Sequence, residues 1–336
     1  MVPETRYHEI KEFVKRGLQD FSISRLKSKM PWGVPVPGDE EHVMYVWFDA
    51  LVNYISTLGW PNKSVEFDAF WPGVQIAGKD NLRQQAAMWQ AMLMSADVPN
   101  SRQVLIHGFI TSNGQKMSKS LGNVVGPYEI VEKCGVDALR YWLLREANMF
   151  EDSDFTWEKF KESYNANLAN GLGNLVSRVT KMAQQYFSGR IEENSEPFIL
   201  FGEFDNVTMN LEENLEKNKY PIQSLKEHRG SEYDYAMENF KLQNAMSEIW
   251  RIITDLDEYI AGSEPFKIVK ENPKKTEGIL WNTLWGISYI ANLLVPFMPQ
   301  TSQKIRDSIG CVVDSNNEPI SFQTKVLEEN LFPRIQ

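Results

Sequence analysis

The chain has 336 residues, which sets a length expectation of about two domains and leaves room for a sizeable core without disulfide or metal staples. It carries 35 Lys+Arg against 45 Asp+Glu, a net of −10, with 42% hydrophobic and 12% aromatic residues. That balance excludes a disordered chain and a protein that coats nucleic acid by charge alone, and two cysteines, Cys134 and Cys311, exclude a disulfide scaffold.

In chain order, the first predicted element is a helix over 4–24, with Ile10, Phe13, Val14 and Leu18 at helical spacing. The Pro/Gly-rich stretch Pro31–Asp39 cannot be a helix interior. His42–Leu51 begins as a strand, and Val74–Ala77 is a second strand ending in a glycine turn. A Gln/Ala/Met-rich helix over 81–95 and a strand over Val104–Thr111 follow. Strand, turn, helix, strand is the pattern of an α/β domain with a parallel sheet.

After about residue 126 the pattern is helical. Helices are expected over Glu129–Glu146 with a break at Gly135, over Trp157–Phe187 and over Asp234–Ala261. In the last of these, Leu242, Met246, Ile249, Ile253, Leu256 and Ile260 recur at steps of three and four. Residues 188–233 form an acidic connection, and 190–240 alone have a net charge of −7. An apolar helix from about Glu277 to Val295 and a short one over Thr301–Ile309 complete a bundle. No charged side chain stands between Gly278 and Gln303, but Asn282, Thr283, Ser288 and Asn292 punctuate the apolar run and Pro296 cuts it, so a buried helix is expected rather than a membrane span.

The region 76–125 has a net charge of +3 and holds the sharpest local feature, the loop Asn113-Gly-Gln-Lys116-Met-Ser118-Lys119-Ser-Leu-Gly-Asn123. Two lysines three apart, with a hydroxyl between them, suit a shifting polyphosphate, because lysine is a rotatable point charge. Cations facing a leaving pyrophosphate stabilise charge as it develops. Asp80 in the turn Gly78–Arg83, and the aromatic residues Trp47 and Tyr54, are further candidates.

The KMSKS run, Lys116–Ser120, is the signature loop of class I aminoacyl-tRNA synthetases. YVWFDALVNYI (45–55), GKDNLR (78–83), HGFITSNGQKMSKSLGN (107–123), GVDALRYWLLRE (135–146) and PFMPQTSQKI (296–305) resemble the methionyl-tRNA synthetase family, in order. The resemblance implies α/β plus all-α architecture: the second half of a Rossmann-like class I catalytic domain followed by a helical-bundle anticodon-binding domain. It implies the end of a connective insert over 1–40, catalytic domain over 41–125, a stem-contact region over 126–165 and an anticodon-binding domain over 166–336.

The activity implied is ATP-dependent ligation of methionine to tRNA(Met) in the cytoplasm, with Mg²⁺ assisting and no membrane partner. Lys116 and Lys119 would be catalytic. Gly78, Asp80, His107, Gly108, Ile110 and Ser118 would join them around ATP and the adenylate. Trp47, Ala50, Leu51, Tyr54 and Gln85 would receive methionine, with Gln85 standing where the family usually has histidine. Asn170, Asn174 and Arg178, spaced for one helix face, would meet the anticodon together with Phe266, which stands where the family usually has tryptophan.

The family's second signature, His-x-Gly-His, does not occur: the histidines are His8, His42, His107 and His228, none in that context. No paired cysteines are present, so no cysteine-type zinc site is expected. The expectation is a synthetase without its first third, weak or inactive by itself: a split gene completed by a separate N-terminal half carrying His-x-Gly-His, a truncated clone, or an incomplete reading of a longer sequence. The competing expectations are a non-catalytic, anticodon-recognising fragment and a synthetase for another apolar amino acid.

Overall fold

A computed structural model describes residues 1–62, 64–192, 232–315 and 319–336. Most of the acidic connection, 193–231, lies outside the described residues. The chain divides into two compact units, Met1–Phe109 with Phe150–Asp152, and Ile110–Met149 with Ser153–Gln336.

In the first unit, α1 spans Glu4–Lys15 rather than reaching residue 24. It stops because Gly17 takes φ +93, a left-handed conformation that ends a helix at little steric cost. Of its expected apolar stripe only Ile10 is buried, while Val14 and Leu18 are exposed. The Pro/Gly-rich stretch is non-helical as expected and contributes to a small antiparallel sheet of β1 (Ser24–Leu26), β2 (Pro35–Val36) and β3 (Asp39–Met44), in the order β1-β3-β2. Short helices follow: α2 (Val46–Ala50), α3 (Asn53–Ser56) and α4 (Val65–Phe70). The Ser64 hydroxyl caps α4 by accepting from the Phe67 amide.

The parallel unit is β4 (Val74–Gly78) beside β5 (Gln103–His107), in register from Val74↔Gln103 to Gly78↔His107. Between them run a 3₁₀ turn Lys79–Asn81, a π-helical segment Gln84–Met88 and α5 (Trp89–Ser95). The core here is Leu51, Ile55, Trp71, Trp89, Leu93 and Val98, with a second cluster around Ile10, Ala77, Leu82, Val104 and Ile106. The expected single strand Val104–Thr111 is two strands, β5 and β6 (Ile110–Ser112), which belong to different sheets. Segment 150–152 crosses at the break: the Phe109 amide donates to Asp152 Oδ1 at 2.9 Å instead of to a neighbouring strand.

In the second unit, β6 pairs antiparallel with β7 (Gln115–Lys116) and parallel with β8 (Ser153–Phe155). Helices α6 (Pro127–Cys134) and α7 (Val136–Tyr141) meet at Gly135, φ +86, where the break was expected, and α7 runs on into a π-helical segment Trp142–Glu146. The expected helix over 157–187 comprises α8 (Trp157–Ser163), a π-helical stretch Tyr164–Gly173 and α9 (Asn174–Phe187). Strand β9 is Arg190–Glu192.

The helix expected over Asp234–Ala261 is interrupted. α10 (232–238) ends with Phe240 at φ +58 and the Lys241 amide reaching back to the Ala236 carbonyl, a helix stop made without glycine. α11 (Leu242–Ser263) then buries Met246, Ile249, Ile253, Leu256 and Ile260, five of the six residues in the expected stripe. α12 (Pro265–Ile268), α13 (Pro273–Leu294), α14 (Pro299–Ile309), β10 (Cys311–Val313) and β11 (Pro319–Gln323) complete the unit, with sheet order β10-β11-β9. The uncharged run is mostly α13, packed on α11, with Thr283 hydrogen-bonded to the Ile279 carbonyl and Asn292 accepting from Arg306. No helix among the described residues is long and apolar enough to cross a membrane.

The turn between α13 and α14 is gripped from α7. Arg140 donates from Nε to the Phe297 carbonyl at 2.5 Å and from Nη2 to the Pro296 carbonyl at 2.7 Å. Asp137, one helical turn earlier and 5% exposed, accepts from the Thr301 amide at 2.6 Å in the first turn of α14. Helix starts leave amides without intrahelical partners, and this one is satisfied from another helix. Asp137→Ala strands that amide, so stability should fall by about 1–3 kcal/mol, read as a lower urea midpoint at constant m.

Candidate active site

Four of the five expected methionine residues gather in the first unit. Leu51 is buried at the end of α2, Trp47 and Tyr54 pack half-buried against the same core, and Gln85 is 3% exposed. Gln85 Nε2 donates to the Tyr54 hydroxyl at 3.1 Å, and the Tyr54 and Trp89 ring centroids are 6.0 Å apart. Ala50 is exposed rather than part of this group. Gln85 Oε1 is buried with no partner among the described residues. Gln85→Ala removes the buried partner of Tyr54 and should cost about 1–3 kcal/mol in denaturant unfolding, whatever the ligand.

Gly78, Asp80 and His107 meet where β4 and β5 end. Ligands of open α/β sheets bind outside the carboxyl ends of parallel strands. Gly78 pairs with His107, and a Cβ on Gly78 would lie 2.9 Å from Asp80 Oδ1 and 3.6 Å from His107 Cε1. His107 Nδ1 donates to the Gly108 carbonyl at 2.7 Å, so a neutral ring presents Nε2 as an acceptor.

Lys79, between Gly78 and Asp80, pairs with Asp152 at 2.7 Å and stands 4.6 Å from the centroid of Phe109. The Lys79 ammonium, then the Phe109 amide, hold the Asp152 carboxyl below the usual carboxylate range. A lowered value makes this contribution present above the ordinary aspartate range and lost as pH falls through it.

In the second unit, the lysine loop is a defined hairpin. Asn113 (φ +53) and Gly114 (φ +72) both take left-handed backbone, as a two-residue type I′ turn requires. Ser112 pairs with Gln115 and Thr111 with Lys116, so Lys116 stands exposed on β7. Asp154 Oδ1 accepts from the Gly114 amide at 2.7 Å and from the Thr111 hydroxyl at 2.8 Å. The following turn is closed by Asn123, whose Oδ1 accepts from the Ser118 amide at 2.9 Å and whose Nδ2 reaches the Lys116 carbonyl at 3.3 Å. Lys119 opens the 3₁₀ turn Lys119–Leu121, capped by Ser118 Oγ accepting from the Leu121 amide. Ile110 is 37% exposed on β6.

The expected anticodon residues are not one bare helix face. Asn170 lies in the π-helical stretch, where i→i+5 bonding alters the four-residue spacing, and its Oδ1 accepts from Arg334 at 2.6 and 3.0 Å. Asn174 is exposed at the start of α9, and Arg178 pairs with Asp257 of α11 at 3.2 Å. Phe266 is 51% exposed on α12.

Lys79, Asp152, Asp154 and Arg334 did not stand out in the sequence as site residues. Apart from Lys79, which lies within the GKDNLR block, their sequence signal is charge, and the hydrogen bonds that place them reach 40 to 164 residues along the chain. No group of three or more His, Cys, Asp or Glu side chains among the described residues is placed to hold a metal.

Residues 2–180 match the family model of class I tRNA synthetases (M), and residues 212–330 match that of the anticodon binding domain of methionyl tRNA ligase. A methionine–tRNA ligase of Brucella melitensis is 38% identical over 315 residues, 94% of this chain and 57% of the relative. One from Caldanaerobacter subterraneus is 37% identical over 344 residues, 99% of this chain and 51% of the relative. Mycobacterium tuberculosis methionyl-tRNA synthetase bound by methionyl-adenylate superposes with a TM-score of 0.84 at 31% identity, covering 99% of this chain and 64% of that one. The chain spans about half the length of the curated relatives it matches.

Proposed function

Since the chain belongs to the class I tRNA synthetases of the methionine type, we propose that it carries the pyrophosphate-side and anticodon-side parts of a methionine–tRNA ligase. The observation that carries this reading is the hairpin that displays Lys116 within the KMSKS run. In the first step the methionine carboxylate, already ionised, attacks the α-phosphorus of ATP. A carboxylate O–P bond forms, the bond to pyrophosphate breaks, and no general base is required. Catalysis is then positioning and charge neutralisation. Lys116 and Lys119 meet the charge that grows on the departing pyrophosphate. In the second step a terminal ribose hydroxyl of the tRNA attacks the adenylate carbonyl and AMP leaves.

The remaining roles follow the same reading. Gly78 allows close approach of the nucleotide at the strand end, and Asp80 and His107 offer it an acceptor each. Gly108, Ile110 and Ser118 belong to the nucleotide-binding set. Trp47, Leu51 and Tyr54 supply an apolar, aromatic surface suited to a thioether, with Gln85 its polar member and Ala50 at its exposed end. Mg²⁺ keeps substrate phosphates and waters among its ligands, so the ion would enter on the triphosphate. Asn170, Asn174, Arg178 and Phe266 would meet unstacked anticodon bases of tRNA(Met).

The test is methionine-dependent ATP–pyrophosphate exchange. It uses the chain alone and the chain mixed with a separately supplied domain bearing His-x-Gly-His, which these 336 residues do not contain. Exchange in the mixture supports the ligase reading. A silent mixture of folded, associated proteins sinks it and leaves anticodon recognition without catalysis.

A further inference from the structure

Lys116 lies at the end of a row that crosses three strands. Thr111 of β6 is the register partner of Lys116 on one side and of Asp154 on the other. Residues directly opposite across paired strands project to the same face. The row is therefore carboxylate, hydroxyl, ammonium, on one side of a three-stranded sheet. A single oxygen, Asp154 Oδ1, accepts from both the Thr111 hydroxyl and the Gly114 amide. Gly114 sits inside the two-residue turn, so the strand ladder offers its amide no acceptor, and an unpaired backbone donor seeks one elsewhere. The other oxygen, Oδ2, has Lys159 at 3.8 Å, on the helix that follows β8. The Gly114 amide first, and then the Thr111 hydroxyl, hold this carboxyl below the usual range, so both bonds are made to the charged form.

We propose that Asp154 is a positioning residue for Lys116: by tying the turn and the first strand of the hairpin to β8, it fixes the strand from which Lys116 projects. The inference rests on the reading of Lys116 given above. Asp154 touches neither substrate nor reacting atoms. Its effect is on where the lysine stands when pyrophosphate leaves, and displacement of a catalytic group by about 1 Å can cost on the order of 10²-fold in rate.

The experiment compares Asp154→Ala, Asp154→Asn, Lys116→Ala and the double variant Asp154→Ala/Lys116→Ala in the exchange assay with the supplied domain. Hydrogen exchange of the Gly114 amide is followed in each. Asp154→Ala should lower kcat on the order of 10²-fold while the KM for methionine stays within about twofold. Asp154→Asn keeps an oxygen acceptor and should recover most of the loss. The double variant should be within about twofold of Lys116→Ala, because a lysine that is absent needs no placing. The Gly114 amide should exchange faster in Asp154→Ala than in Asp154→Asn. Losses that multiply in the double variant, a methionine KM that moves as far as kcat, or an unchanged Gly114 amide would each overturn the inference while leaving the ligase reading intact. Silence of the unsubstituted mixture would overturn that reading first, and this role with it.

Discussion

Alanine at Gly108 should cost the first unit more than about 4 kcal/mol, the range reserved for a named structural failure. A Cβ built there falls 2.0 Å from the Glu151 carbonyl oxygen, 2.2 Å from its carbon and 2.8 Å from the Asp152 nitrogen. All three are backbone atoms, so no side-chain rotation relieves the overlap. Segment 150–152 would have to lift away, and with it would go the Phe109–Asp152 bond and the Lys79–Asp152 pair. Gly262→Ala is the control: it lies inside α11 with nothing within 4 Å of its Cβ position, and it should gain roughly 0.5–1 kcal/mol. Thermal unfolding followed by circular dichroism reads both. A Gly108→Ala protein that melts at the wild-type temperature would disprove the crossing.

Lys116→Ala should lower the rate of methionine-dependent pyrophosphate exchange by about 10²–10³, the usual loss when one group stabilising developing charge is removed. The charge on pyrophosphate grows only as the α-phosphorus bond breaks, so kcat should carry the loss and the KM for methionine should not. Lys116→Arg retains the charge but replaces a rotatable ammonium by a planar fork, and should recover only part of the rate. Stability should change little, because Lys116 is exposed on β7. Steady-state exchange against methionine and ATP separates these outcomes. A variant with full kcat would remove Lys116 from the chemistry.

Local features were legible in the sequence where the chemistry is local. Steps of three and four marked α11, and an uncharged run became the buried helix α13, whereas the lysine loop was not read as the hairpin that Asn113 and Gly114 turn. The sequence missed what depends on distant chain. Nothing in Val104–Thr111 shows that Asp152 captures the Phe109 amide and splits the strand. Nothing near Phe240 marks it as a left-handed helix stop, because glycine is the usual signal there. At the site, KMSKS and GKDNLR were readable as blocks. Lys79–Asp152 and Gly114–Asp154 join residues 73 and 40 positions apart, and single-sequence periodicity carries no such pairing.

The grip of α7 on the turn between α13 and α14 also sets a schedule for synthesis. The acceptor on Asp137 and its donor on Thr301 are 164 residues apart in the chain, and Asn165 exchanges two hydrogen bonds with Ile335 across 170. At translation rates of about 5–20 residues per second, α7 waits roughly 10–30 s before the backbone it grips has been made. During that interval the Asp137 carboxylate lacks the backbone donor it has in the folded unit. The contacts that α7 makes with this turn can therefore form only after the first turn of α14 has been made.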